Sequence, residues 1–410
     1  MQKGKTMPEL KQQKQAILVY TIIVALAGLG LGLSDALFSN YFRDAYEVDA
    51  FQRGLIEVPR ELPGVLTMFL LSALAFWGDK KLALLAFALN ALGLLVLAFF
   101  APSFPVMLIF LFVASMGIHM FIPLYDSLGM SLAPSKEEYG KMLGKFNSVR
   151  MIFSLIASVV AFLGFRSGFF SFTAPIILNF VIAAALFAVV FVLILYLMKL
   201  SPDKKGKKAH FVFRKEYAKF YVLAALFGGR KQVIFVFGPW VLIELFHFGA
   251  DYMSLLLIVG SVVSVFALPV IGRWIDKYGA PQVMIIEVIL FFVIYFGYGA
   301  ISAGVHGGFV EGGRILLILV VLIHTLDRVV FNFNMARSIY LRKIALVAED
   351  VTPTLATGMA LDHLFSILGA LVCGWLWWNL GPQYVFVFSG ILAVIHLFVA
   401  IYVKRDEKVA

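Results

Sequence analysis

Twelve uninterrupted apolar runs, each long enough to cross a bilayer, constrain this chain more than any other feature. A helix needs roughly 20 mostly apolar residues to span a hydrocarbon core. Such runs lie at 16–40, 52–77, 82–100, 105–128, 143–165, 172–198, 217–246, 251–271, 282–302, 313–336, 355–379 and 382–403. They are continuous rather than alternating, which excludes a transmembrane barrel. A content of 62% hydrophobic and 14% charged residues removes the soluble alternative, because a soluble globule is about half apolar and a quarter charged. The sequence therefore predicts an all-α membrane protein of twelve transmembrane helices.

The segment 1–15 is polar and basic and leads into a first run much longer than a signal-peptide core, with no small-residue cleavage site after it. That run is expected to be a retained helix. Cys373 is the single cysteine, so no intrachain disulfide is expected. With the first segment inside, the basic residues segregate. Lys3, Lys5, Lys11, Lys14, Lys80, Lys81, Lys136, Lys141 and Lys145 fall inside, as do Lys199, Lys204, Lys205, Lys207, Lys208, Arg214, Lys215 and Lys219 after the sixth run. Later loops add Arg273, Lys277, Arg337, Arg342, Lys343, Lys404, Arg405 and Lys408, whereas only Arg43, Arg53, Arg166 and Arg314 fall outside. This positive-inside asymmetry predicts that both termini are cytoplasmic. It also assigns the net charge of +10 to topology and anionic lipid, leaving nucleic acid without support as a partner.

The one long hydrophilic stretch, SPDKKGKKAHFVFRK at 201–215, follows the sixth run and divides the chain in two. The expected organisation is a cytoplasmic tail 1–15, a first six-helix bundle 16–198, a linker 199–216, a second bundle 217–403 and a tail 404–410. An internal repeat supports it. AFWGDKK follows the second run and GRWIDKYG the eighth, placing Asp79 and Asp276 at equivalent points, and FSLIA from Phe153 matches FSILG from Phe365. Repeated bundles of this kind build many transporters, with the solute site near mid-membrane.

Gly272, Asp276, Lys277 and Gly279 resemble the G-x-x-x-D-[RK]-x-G signature of the major facilitator superfamily, at the eight-to-nine loop where that family repeats it. The copy at the two-to-three loop keeps only Asp79 and Lys80, with Ala75 and Leu82 in place of the glycines. The resemblance implies two pseudo-symmetric six-helix bundles whose cytoplasmic ends are latched by such acid–base pairs. It further implies that helices one, four, seven and ten line a central cavity. A turn whose charges merely obey topology is the competing reading of Asp276 and Lys277.

Ionisable residues inside the apolar runs are the strongest functional clues, because each costs about 3 kcal/mol at the bilayer centre and needs a partner or an aqueous cavity. In the first run, Asp35 follows glycines 28, 30 and 32, which permit close helix approach. In the seventh, Arg230 and Lys231 follow a glycine pair. The resemblance allows Asp35 to face one of them. Adjacent helical residues point about 100° apart, so one cation is expected in the cavity, with Arg230 favoured, and the other toward a neighbouring helix. In the second run Glu57, Arg60 and Glu61 share a face on which Arg60 bridges both carboxylates; an ion network holding the helix end competes with a solute site. In the tenth, His324 and Arg328 share a face beside Asp327, either as a cavity group or as a self-compensated packing set. Arg150 and Asp362 occupy nearly equivalent positions of the fifth and eleventh runs, suggesting interbundle contacts, although Asp126 is a second candidate partner for Arg150. Trp240, Trp377 and Trp378 read as packing or lipid-facing groups.

The function expected is secondary active transport of a small solute by alternating access. Arg230 and Lys231 favour an anionic or zwitterionic solute, and Asp35, Asp327 or a histidine would carry a proton if a proton gradient drives the cycle. A proton-antiporting exporter of drugs or other amphiphiles is the alternative in the same class. A non-transporting receptor or scaffold is the alternative outside it. An enzyme is not expected: there is no H-E-x-x-H pair, G-x-S-x-G elbow, Walker loop or Cys/His cluster, and the side chains of Asp362 and His363, adjacent in sequence, should not converge. No cofactor or metal is expected. The expected setting is a bacterial cytoplasmic (inner) membrane, with the protein acting as a monomer.

Overall fold

The computed structural model describes residues 7–99, 102–135, 138–201, 213–309, 313–347 and 350–407. Every regular element among them is helical. Most of the linker expected at 199–216 (202–212), Lys136 and the outermost residues of both tails lie outside the described residues.

The first span is α1 (Met7–Ser34), a 3-10 turn (Asp35–Leu37) and α2 (Phe38–Tyr46). The Ser34 hydroxyl donates to the Gly30 carbonyl at 2.8 Å; such back-bonding competes with the backbone ladder, and the helix tightens at the next residues. The second to sixth spans are α3 (Ala50–Ala73), α4 (Asp79–Phe99), α5 (Phe104–Ser131), α6 (Tyr139–Arg166) and α7 (Leu178–Leu200). The seventh is α8 (Ala218–Gln232), a π-helical turn (Val233–Phe237), α9 (Gly238–Trp240) and a second π-helical turn (Val241–Leu245). Pro239 accounts for the first widening, since it lacks an N–H and its ring crowds the carbonyl four residues back, within 233–237. The remaining spans are α10 (Ala250–Tyr278), α11 (Ala280–His306), α12 (Arg314–Val330) with α13 (Met335–Ile344), α14 (Val351–Leu380) and α15 (Gln383–Glu407).

Among the described residues eleven of these twelve spans are long and apolar enough to cross a membrane on composition alone. The other is α3, which carries Arg53, Glu57, Arg60 and Glu61 within its 24 residues. Phe266, Phe296 and Ile315 are each more than 70% exposed, which is lipid contact rather than water contact for helices of this composition. Several spans overrun their apolar runs. The acid–base signature expected in loops therefore sits on helix ends: Asp79 and Lys80 open α4, and Asp276 and Lys277 close α10.

The chain divides into two compact units. Unit 1 comprises Met1–Phe38 and Leu66–Ala209; unit 2 comprises Ser39–Val65 and His210–Ala410. The segment 39–65 thus groups with the second set of helices, a division that differs from the two sequential halves expected.

Within unit 1, α1 packs on α6 and α7, and α4 on α5 and α7. Glycines make these approaches close. A Cβ at Gly28 would lie 2.7 Å from the Arg150 carbonyl, and one at Gly32 would lie 2.5 Å from the Ala157 methyl, the small-residue contacts by which membrane helices associate. Within unit 2, α8 packs on α14 and α15, and α11 on α12 and α15. A Cβ at Gly228 would overlap the Asp362 carbonyl, and one at Gly369 would lie 2.8 Å from the Gly229 carbonyl. The α8–α14 crossing is therefore a backbone-on-backbone contact.

Candidate functional site

Unit 1 contains a partly open cavity of about 190 Å³ between α1, α4, α5 and α6. Val24, Ala27 and Leu31 line it from α1, Phe87 and Asn90 from α4, Ile118, Phe121, Tyr125 and Asp126 from α5, and Asn147 and Arg150 from α6. Pro123 leaves a gap in the helical bonding one turn below Tyr125 and Asp126. The Tyr20 hydroxyl holds this turn by donating to the Tyr125 carbonyl at 2.6 Å. The Arg150 guanidinium lies over the Tyr125 ring, 5.4 Å from its centroid, and donates to Asn147 Oδ1 at 3.4 Å. Arg150 and Asp126 are both exposed on the faces of their helices, the condition expected where charged groups look into a cavity rather than into lipid. Asn90 is buried and its Oδ1 has no hydrogen-bond partner.

The cations of the seventh span behave differently. Arg230 and Lys231 point to different neighbours, as their 100° separation requires, but both are buried in ion pairs and neither lines the unit 1 cavity. Arg230 is the residue locked among neighbouring helices: it donates to Glu287 Oε1 of α11 at 2.7 Å, lies 3.2 Å from His396 Nδ1 of α15, and stacks 3.6 Å over the Phe291 ring. Lys231 binds Glu61 Oε2 at 3.0 Å and Asp362 Oδ1 at 3.1 Å. His363 Nδ1 donates to the same Glu61 oxygen at 2.6 Å. Asp362 and His363 point in different directions, and each reaches the cluster through its own partner, Asp362 through Lys231 and His363 through Glu61.

Glu57 accepts from Arg53 at 2.6 Å and from Arg60 at 2.9 Å. Of the grouping expected of Glu57, Arg60 and Glu61, Arg60 meets Glu57 together with Arg53, and Glu61 meets Lys231 and His363. Arg53 was expected among the outside loop cations. It is instead fully buried, within 6 Å of both the Phe42 and Trp240 rings, and donates also to Ser39. Arg337, expected in a cytoplasmic loop, is likewise buried, with its guanidinium 3.5 Å over the Phe227 ring. Arg337 lies on a helix that outruns its apolar run, whereas Arg53 lies at the start of its run, where burial on α3 replaces the outside position expected of it.

In the tenth span His324 is buried and its Nδ1 lies 3.0 Å from the Tyr298 hydroxyl. Asp327 is 2% exposed and its Oδ2 has no hydrogen-bond partner. The Arg328 guanidinium lies 5.6 Å over the Phe235 ring. Asp35 is half-buried at the 3-10 turn that breaks the first span. Arg150 and Asp362, equivalent in the repeat, have different surroundings: Arg150 faces the unit 1 cavity, and Asp362 holds Lys231.

Of the signature residues, Asp79 accepts from the Ser127 hydroxyl, and Lys80 is buried. Asp276 and Lys277 are exposed, with Lys277 Nζ 5.0 Å from the Tyr278 ring centroid. A Cβ at Gly272 would meet no atom within 4 Å, whereas Gly279 has φ +83 where α10 turns into α11, a backbone conformation that favours glycine. Among the described residues no group of histidine, cysteine and carboxylates has the arrangement of a metal site. Sequence reasoning passed over Asn90, Asn147 and His396; the available signal was a lone polar residue within an apolar run.

Eleven candidate membrane spans among the described residues, interior ion pairs and a cavity lined in part by charged groups are the features of a polytopic membrane carrier. The model of the Major Facilitator Superfamily matches residues 20–361, and the chain belongs to that family. It is a secondary transporter and not an enzyme. Its fold is similar to that of the nucleoside transporter NupG, at 16% identity over 95% of this chain and 99% of that one with a TM-score of 0.69. The POT family transporter PepTSo gives 13% identity over 96% and 98% with a TM-score of 0.75. A D-xylose-proton symporter gives 16% over 94% and 96% with a TM-score of 0.66. Comparison with curated protein sequences gives no match.

Proposed function

We propose that this transporter carries a small anionic or zwitterionic solute by alternating access and holds it in the unit 1 cavity. The carrying observation is that Arg150 and Asp126, on adjacent membrane helices, both face a cavity of about 190 Å³. Arg230 and Lys231, the cations that favoured an anion at first reading, are neutralised in place by Glu287, Glu61 and Asp362. Arg150 takes over that argument. In this reading both termini are cytoplasmic and the protein works as a monomer in a bacterial cytoplasmic membrane.

Asp327 supports proton coupling as a second element. It is buried, and one carboxylate oxygen has no hydrogen-bond partner, so that a proton would be held there without displacing an existing bond. The D-xylose-proton symporter among the structural relatives shows that this fold accommodates such coupling. Purified protein in proteoliposomes under an imposed pH gradient, screened with small solutes for solute-dependent proton movement, tests both elements. Loss of uptake in Asp126→Asn and Arg150→Gln, and loss of proton movement in Asp327→Asn, are the expected results. Undiminished uptake in both cavity variants would move the solute site elsewhere.

A further inference from the structure

The cavity of unit 1 contains opposite charges that act on each other through space but form no direct ion pair. Asp126 and Arg150 lie on α5 and α6 and line the same space. Yet no ion pair joins them, and neither is paired with any other charged residue among the described residues. Four carboxylates of unit 2 behave differently: Glu57, Glu61, Glu287 and Asp362 each hold a cation at 3.1 Å or less. Interior charges so placed in a bilayer need a partner or water. Two unpaired opposite charges across one small cavity are complementary to a molecule that brings both. Asn90 Oδ1, buried without a hydrogen-bond partner on the α4 side, adds an acceptor for a cationic N–H group. Phe87, Phe121 and Ile118 supply an apolar wall. A cavity of about 190 Å³ has room for on the order of a dozen water-sized groups, which accommodates a single amino acid.

Resting on the assignment of this cavity as the solute site, we infer that the solute class is a small amino-acid-like zwitterion. Its carboxylate pairs with Arg150, its amine with Asp126 and Asn90, and an uncharged substituent lies against Phe87 and Phe121. The bidentate fork of arginine suits a carboxylate, and Asp126 offers only acceptors to the ammonium.

The test uses the full-length protein in detergent and three probe pools at equal concentration: amino acids with uncharged side chains, their carboxamides, which keep only the positive charge, and their N-acetyl derivatives, which keep only the negative charge. Affinity is read by thermal shift across a concentration series. The amino-acid pool should bind about 10- to 100-fold more tightly than either derivative pool, the loss expected for one charge-assisted contact. Asp126→Asn should erase discrimination between amino acids and N-acetyl derivatives, and Arg150→Gln should erase it against carboxamides. A merely structural role for either residue would weaken all pools alike. Arg150→Lys, which keeps the charge but loses the fork, should restore part of the preference that Arg150→Gln removes, and the unfolding temperature of each variant without probe serves as the folding control. N-acetyl derivatives binding wild-type protein as well as amino acids would overturn the inference in favour of a plain anion, and failure of all three pools to bind would overturn the zwitterion class outright. Either result leaves the cavity assignment standing if uptake of a screened solute still depends on Asp126 or Arg150. Independence from both defeats that assignment instead.

Discussion

Replacing Arg230 by methionine should destabilise the protein far more than replacing its partner Glu287 by glutamine. Arg230 and Glu287 are 3% and 0% exposed and 2.7 Å apart, so their bond forms out of water. Removing one member of a buried pair typically costs about 3–5 kcal/mol, because the other charge is left uncompensated. Arg230→Met strands Glu287, whose Oε2 already has no hydrogen-bond partner, and should show the full loss. Glu287→Gln leaves Arg230 with His396 at 3.2 Å and the Phe291 ring at 3.6 Å, and the amide oxygen still accepts, so the loss should be about 1.5–3 kcal/mol. The double variant Arg230→Met/Glu287→Gln buries no stranded charge and should be more stable than Arg230→Met alone. Thermal unfolding of detergent-solubilised protein followed by tryptophan fluorescence reads these as Tm shifts, about 3–6 °C for Arg230→Met. A double variant whose shift equals the sum of the two single shifts would refute the reasoning, since additivity means the groups do not interact.

Two other perturbations follow from unit 2. Lys231→Met leaves two carboxylates, Glu61 and Asp362, without their lysine, so it should lower Tm more than Asp362→Asn does; equal shifts would mean Lys231 is held mainly by packing. Gly228→Ala places a methyl on the Asp362 carbonyl, whereas a methyl at Gly140 meets nothing within 4 Å. The former should abolish monodisperse expression by size-exclusion chromatography, and the latter should leave it intact.

The element inventory was legible because a bilayer imposes a one-dimensional rule: enough apolar residues in a row make a span, whatever surrounds them. Glycines 28 and 32 were legible for a similar reason, since small residues on membrane helices mark where backbones meet. The boundaries were less so. Helices do not stop where hydrophobicity does, and Arg337 became a buried group on a helix rather than a loop cation.

What the sequence alone determined is that this chain spans a membrane repeatedly, and that charges such as Arg230, Lys231 and Glu61 within those spans need partners or water, because hydrocarbon solvates neither charge nor unpaired backbone. Which partners they found, only the tertiary structure decided. Arg230 meets Glu287 and His396, 57 and 166 residues away, and Lys231 meets Glu61 and Asp362. The choice depends on the rotation of each helix about its axis and on which helix lies beside it, and neither quantity is encoded in the local spacing of residues. The same rotation left Asp126 and Arg150 facing one cavity without joining them, and that gap carries the reading of the solute.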